Sequence, residues 1–160
     1  LTLLLVMAAT PALAQIFSAG DIVIEAPWAR ATPKGAPVGA GYMTIRNNGA
    51  TPDKLTGGSA DFASEVQIHE MAMNGGVMTM RRLPDGLTIP PNSSVTLKPK
   101  DYHLMFQGLK QPLTKGETVK ATLTFEHAGS IPIDLRVESV GAMGPGDKPA
   151  PDQMKGMKMD

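Results

Sequence analysis

Glu117–Glu126 reads ETVKATLTFE, with apolar and polar residues in strict alternation. Val119, Ala121, Leu123 and Phe125 share one face, and Lys120, Thr122, Thr124 and Glu126 the other. Ile131–Glu138 repeats the pattern, with Ile131, Ile133, Leu135 and Val137 set against Pro132, Asp134, Arg136 and Glu138. A period of two marks strands that bury one face and wet the other. Weaker strand patterns lie at Asp21–Glu25, Tyr42–Arg46, Val66–Met73, Val77–Arg82, Ser94–Lys98 and Tyr102–Gly108. Asn47-Asn48-Gly49, Thr56-Gly57-Gly58, Asn74-Gly75-Gly76, Pro90-Pro91-Asn92 and Lys115-Gly116 punctuate them as turns. No segment keeps a helical period. Many short strands between turn signals predict an all-β fold, an antiparallel sandwich or barrel.

The composition narrows the chemistry. The chain has 160 residues, room for one domain. It contains 11 Met, no Cys, 4 Phe, 2 Tyr and 1 Trp. Without Cys there is no disulfide scaffold, Cys-ligated zinc or iron–sulfur site, Cys nucleophile or blue-copper thiolate. Lys and Arg total 15, as do Asp and Glu, so no net charge attracts nucleic acid or an anionic membrane. No GxSxG or HExxH motif is present, and no nucleophile has a base at a readable spacing, so the chain is expected not to be an enzyme.

Residues 1–14 read as the later part of a signal peptide. Leu1–Ala9 is an uncharged apolar run, and Ala12-x-Ala14 has the small-x-small form of a cleavage site. The run falls short of the roughly 20 residues that span a bilayer, so stable membrane insertion is not expected. The expected domain then occupies 15–140. From 141 to 160 a Gly/Pro-rich, Met-rich tail follows, mobile by composition.

The methionines are grouped. Four lie in His69-Glu70-Met71-Ala72-Met73-Asn74-Gly75-Gly76-Val77-Met78-Thr79-Met80. Asn-Gly between apolar runs signals a two-residue hairpin turn. A turn at Asn74-Gly75 would set His69 opposite Met80 and Met71 opposite Met78. One face would then carry His69, Met71, Met73, Met78 and Met80. A three-residue turn would pair Met80 with Glu70 instead, so the reading depends on register. Downstream, His103 and Met105 share a face in Tyr102-His103-Leu104-Met105-Phe106.

Thioether is a soft ligand suited to Cu(I), and imidazole also accepts copper. Mg and Ca favour oxygen, and zinc sites use Cys, His and carboxylate. His69, Met80, His103 and Met105 therefore form a candidate Cu(I) site, with Met71 and Met78 as accessory thioethers or packing residues. Met154, Met157 and Met159 offer either a three-thioether tail site or no role at all. His127 ends a strand pattern without a Met neighbour and reads as a surface histidine.

These residues carry a resemblance. Ala26-Pro27-Trp28-Ala29-Arg30-Ala31-Thr32-Pro33, Ala40-Gly41-Tyr42-Met43-Thr44-Ile45, His69-Glu70-Met71 with Gly76–Arg81, and Tyr102-His103-Leu104-Met105 resemble the periplasmic copper chaperones of the PCu(A)C type. The resemblance spans roughly Asp21–Val140. It implies a cupredoxin-like Greek-key β-sandwich or barrel without the cupredoxin Cys. It implies a periplasmic protein with Cu(I) held by His69, Met80, His103 and Met105; the signal pattern itself points to export, and the chain is expected to be a monomer. It further implies delivery towards the CuA site in subunit II of cytochrome c oxidase, alongside a Sco-type protein. The tail resembles the family's Met- and His-rich extension but lacks its His. Trp28 is expected to be a buried packing anchor. A copper buffer or resistance protein would use the same ligands, and an exported β-sandwich interaction module would use Met only as filler.

Overall fold

The computed structural model describes residues 15–147. The expected signal segment 1–14 and the tail thioethers Met154, Met157 and Met159 lie outside the described residues. Eleven strands make up the described chain: β1 (Ile16–Ala19), β2 (Ile22–Arg30), β3 (Val38–Asn47), β4 (Asp53–Ala60), β5 (Ala63–Asn74) and β6 (Val77–Arg82). β7 (Leu87–Ile89), β8 (Ser93–Leu97), β9 (His103–Leu109), β10 (Thr118–Phe125) and β11 (Gly129–Glu138) complete the set. No helix occurs among the described residues, and so none there is long and apolar enough to cross a membrane.

Seven strands close into a barrel in the order β2-β11-β10-β4-β5-β9-β3, with β3 pairing back to β2. β1, β6, β7 and β8 extend it at its margins. The ladders are antiparallel except β2–β11, which is parallel over Trp28–Arg30 and Arg136–Glu138. The all-β barrel expected from the alternation is thus present. The alternating residues of β10 and β11 meet in register, Val119 with Leu135, Ala121 with Ile133 and Leu123 with Ile131, and their inner face is buried. Ile24, Ile45, Leu55, Ile89, Leu104, Phe106 and Leu123 fill the interior with them. Phe106 meets Phe62 edge-on, with centroids 4.8 Å apart, a geometry that aromatic quadrupoles favour.

Three strands escape the sequence pattern: β1, β4 and β7. β4 contains Gly57-Gly58, which reads as a turn. In the fold, a Cβ on Gly58 would stand 2.4 Å from the Thr122 carbonyl oxygen, so the bare backbone is what lets β4 reach β10. A register shift beside it, between Thr124 and Phe125, marks a bulge.

Two buried polar residues hold loops. Asn47 donates to the carbonyls of Thr51 and Ile89 and accepts from the Gly49 N–H. Asp53 accepts from the N–H groups of Lys54, His127 and Ala128. Burial pushes the Asp53 carboxyl up, but the N–H groups of His127, Lys54 and Ala128 outweigh it and hold it below the usual carboxylate range. The His127 ring is exposed beside Glu126, the surface position expected of it.

A smaller cluster lies apart from the main core. Trp28 and Tyr42 stack with centroids 4.5 Å apart, and Ala142 covers them. Arg30 donates to the Ala142 carbonyl and lies over the Tyr42 ring. Trp28 is the buried anchor that the sequence suggests. Composition assigns residue 142 to the tail, yet there the chain is packed onto β2 and β3.

Candidate metal centre

β5 and β9 bring two histidines together. His69 and His103 are direct cross-strand partners, with ring centroids 5.6 Å apart. Direct partners in an antiparallel ladder share a face. Gln67 lies opposite Met105 on the same ladder, so that outer face carries Gln67, His69, His103 and Met105. Leu104 and Phe106 point the other way, into the core. Both histidines and Met105 are buried, at 7%, 5% and 8% exposure respectively.

Hydrogen bonds settle which ring nitrogens carry a free lone pair. His103 Nδ1 lies 3.0 Å from the Asp101 carbonyl oxygen, which can only accept. Nδ1 is therefore the protonated nitrogen of the neutral ring, and Nε2 keeps its lone pair. For His69 the chain of contacts begins at Glu65. The Gln67 amide donates to Glu65 at 3.0 Å, which turns its carbonyl oxygen to His69 Nε2 at 2.8 Å. His69 Nε2 therefore donates, and Nδ1 is left as the acceptor. Nδ1 is buried and has no hydrogen-bond partner among the described residues. Such an orphaned buried atom is costly unless something binds it. Each imidazole is oriented through one nitrogen and offers the other, the arrangement metal-ligating histidines show.

The hairpin register differs from the expected one. The turn is Gly75-Gly76, both at positive φ, with Asn74 opposite Val77. A two-residue turn of type I′ needs positive φ at both positions, and glycine meets that without strain where Asn does so at a cost. Met80 thus lies opposite Met71, Met78 opposite Met73, and His69 opposite Arg82. The expected direct His69–Met80 and Met71–Met78 pairs are corrected. The slip is by two residues, so parity survives, and His69, Met71, Met73, Met78 and Met80 still share one face. Met80 is a diagonal neighbour of His69, about 7–8 Å away along the backbone and within reach of a long side chain. It is 53% exposed, unlike Met105. Glu70 sits on the opposite face with Arg81, its ion-pair partner.

Sequence reasoning missed Gln67, Asp101 and Arg82. Gln67 stands two residues before His69 on the same strand and face, so the period of two could have found it, whereas Asp101 precedes β9 and acts through its backbone carbonyl, which no side-chain pattern marks. Asp101 also accepts from the Met71 N–H, tying the base of the hairpin to the His103 tautomer. Arg82 is paired with Glu65 at 2.9 Å beside His69.

Burial, then the neighbouring His103, then Arg82 hold the His69 pKa below the usual imidazole value. The folded protein therefore favours neutral His69, the form that binds a metal. The unfolded chain takes up this proton near pH 6.5, before the folded one does. The resulting stability is fully present above that pH and is lost as pH falls through the folded value. Thermal unfolding of the metal-free protein between pH 7.5 and 5.5 should show a Tm that falls on acidification, and a smaller fall in His69→Gln. Equal falls in both proteins would remove His69 as the cause.

The fold is that of PCuAC domains of known structure. The "Copper-bound PCuAC domain from PmoF2" is 31% identical, covers 78% of this chain and 98% of its own, and superposes with a TM-score of 0.68. The "Solution structure of CuI-DR1885 from Deinococcus Radiodurans" is 32% identical, covers 70% and 74% respectively, and gives 0.58. Residues 22–137 match the family described as "LpqE-like: Putative lipoprotein LpqE-like", and the chain belongs to that LpqE-like family. A relative in Leifsonia xyli subsp. xyli, "Putative lipoprotein Lxx21020", is 30% identical over 120 residues, covering 75% of this chain and 71% of its own.

Proposed function

We propose that this chain is an exported Cu(I)-binding metallochaperone, with copper held by His69, His103, Met105 and Met80. One observation carries the reading: two adjacent buried imidazoles, with His69 Nδ1 left without a partner. The copper-bound PCuAC neighbours and the lipoprotein names of its relatives support it. The donors are neutral and soft, which suits a monovalent soft cation and needs no carboxylate to balance charge. Only the histidines must be deprotonated, since thioethers bind copper at any pH.

The donors grade from exposed to buried. Met80 stands in solvent while Met105 and the rings lie beneath. An incoming ion meets Met80 first, and an outgoing ion leaves through it by stepwise ligand exchange. Transport of a cargo ion, rather than catalysis, is the activity such a site serves. The recipient is the CuA site in subunit II of cytochrome c oxidase, reached alongside a Sco-type protein, as the PCu(A)C resemblance implies.

Deletion of the gene tests delivery. A strain that loses oxidase activity at low copper and regains it with added copper fits a chaperone. Copper sensitivity with normal oxidase would make the protein a buffer. A purified chain that takes up no copper would leave only an interaction module.

A further inference from the structure

The hairpin β5–β6 carries more thioether than the histidine site uses. Met73 faces Met78 and Met71 faces Met80, all on one face. Met73, Met78 and Met80 are 66%, 42% and 53% exposed, so they fill no core. Among the described residues β6 pairs only with β5, and all six of its residues are exposed. The hairpin's other face is conventionally polar, with Arg81 on Glu70 and the Thr79 hydroxyl donating to the Ala72 carbonyl. Between Met71 and Met80 the methionine face holds no carboxylate, hydroxyl or amide side chain, because the turn's own pair, Asn74 and Val77, lies on the other face. Packing does not account for a row of solvent-exposed methionines.

We infer that Met71, Met73 and Met78 form a second Cu(I) site, made of thioethers alone, which loads the histidine site through the Met71–Met80 pair. Met73 and Met78 are direct partners, with Cβ atoms about 4.5–5.5 Å apart, and Met71 is diagonal to Met78. Three flexible thioethers at these spacings can converge on one soft ion and give no purchase to Mg, Ca or Zn. Met80 would belong to both sites in turn, which makes it the point of exchange. The inference rests on the reading that the chain carries Cu(I).

Cu(I) titration of the full chain against a weak competing chelator tests it, followed by NMR of 13C-methyl methionine. The wild type should take up two equivalents, the weaker one shifting the Met71, Met73 and Met78 methyls. The variant Met71→Leu/Met73→Leu/Met78→Leu keeps the apolar face and removes the sulfur. It should lose one equivalent and retain the other at wild-type affinity. His69→Ala/His103→Ala should retain the hairpin equivalent. If the leucine variant keeps both equivalents, or the wild type takes up only one, the hairpin site is overturned and the exposed face serves docking instead. A wild type that binds no Cu(I) overturns the proposed function as well.

Discussion

His103→Ala should weaken Cu(I) binding by at least about 100-fold, roughly 2.7 kcal/mol, with the fold intact. His103 Nε2 is the free nitrogen because Nδ1 is committed to the Asp101 carbonyl, and the ring stands directly across from His69. Even changes to the partners that orient a metal-bound histidine cost about 10–100-fold in affinity, so losing the ligand itself sets a higher floor. The ring lies on the outer face of the barrel, so its removal opens no hole among Leu104, Phe106 and Ile68. Competition with a Cu(I) chelator measures the affinity, and circular dichroism checks the fold. Met80→Ala should have a smaller effect, because Met80 is exposed and reaches the site diagonally. Unchanged affinity in both variants would remove the four-donor site.

Phe106→Ala should cost about 3–5 kcal/mol of stability, the range for deleting a buried aromatic ring. Phe106 is fully buried, contacts Phe62, and lies where a Cβ on Gly41 would be 2.9 Å from its ring. β3 and β9 approach over this ring, so the cavity cannot collapse without moving backbone. For a domain of this size the loss is roughly 10–20 °C in Tm. Below the transition the variant should still bind Cu(I), because His103 and Met105 project from the opposite face of β9. A stability loss under about 1 kcal/mol would show that neighbouring side chains refill the space.

How far the sequence could be read follows from what is local. β10 and β11 are legible because each buries one face and wets the other. β4 is illegible because Gly57-Gly58 serves a close strand approach that only the partner strand reveals. Barrel closure through the parallel β2–β11 pair joins segments more than a hundred residues apart, and no local pattern encodes it. At the site, face membership follows from parity, so His69 with Met80 and His103 with Met105 could each be set on one face, while the β5–β9 pairing that joins the two sets is not encoded locally. Direct pairing could not, because Asn74-Gly75 and Gly75-Gly76 both satisfy a two-residue turn. The choice between them is made by backbone strain. The orphaned His69 Nδ1 depends on Glu65 turning the Gln67 amide; parity puts the three residues on one face, but the amide's orientation is set by the contacts and not by the pattern.

X-ray absorption at the copper K-edge, on the chain loaded with one equivalent of Cu(I), tests the central claim most directly. The account predicts a mixed shell of two imidazole nitrogens and two thioether sulfurs, with the multiple scattering of both rings visible. A shell without sulfur, or with sulfur and no imidazole, would contradict it.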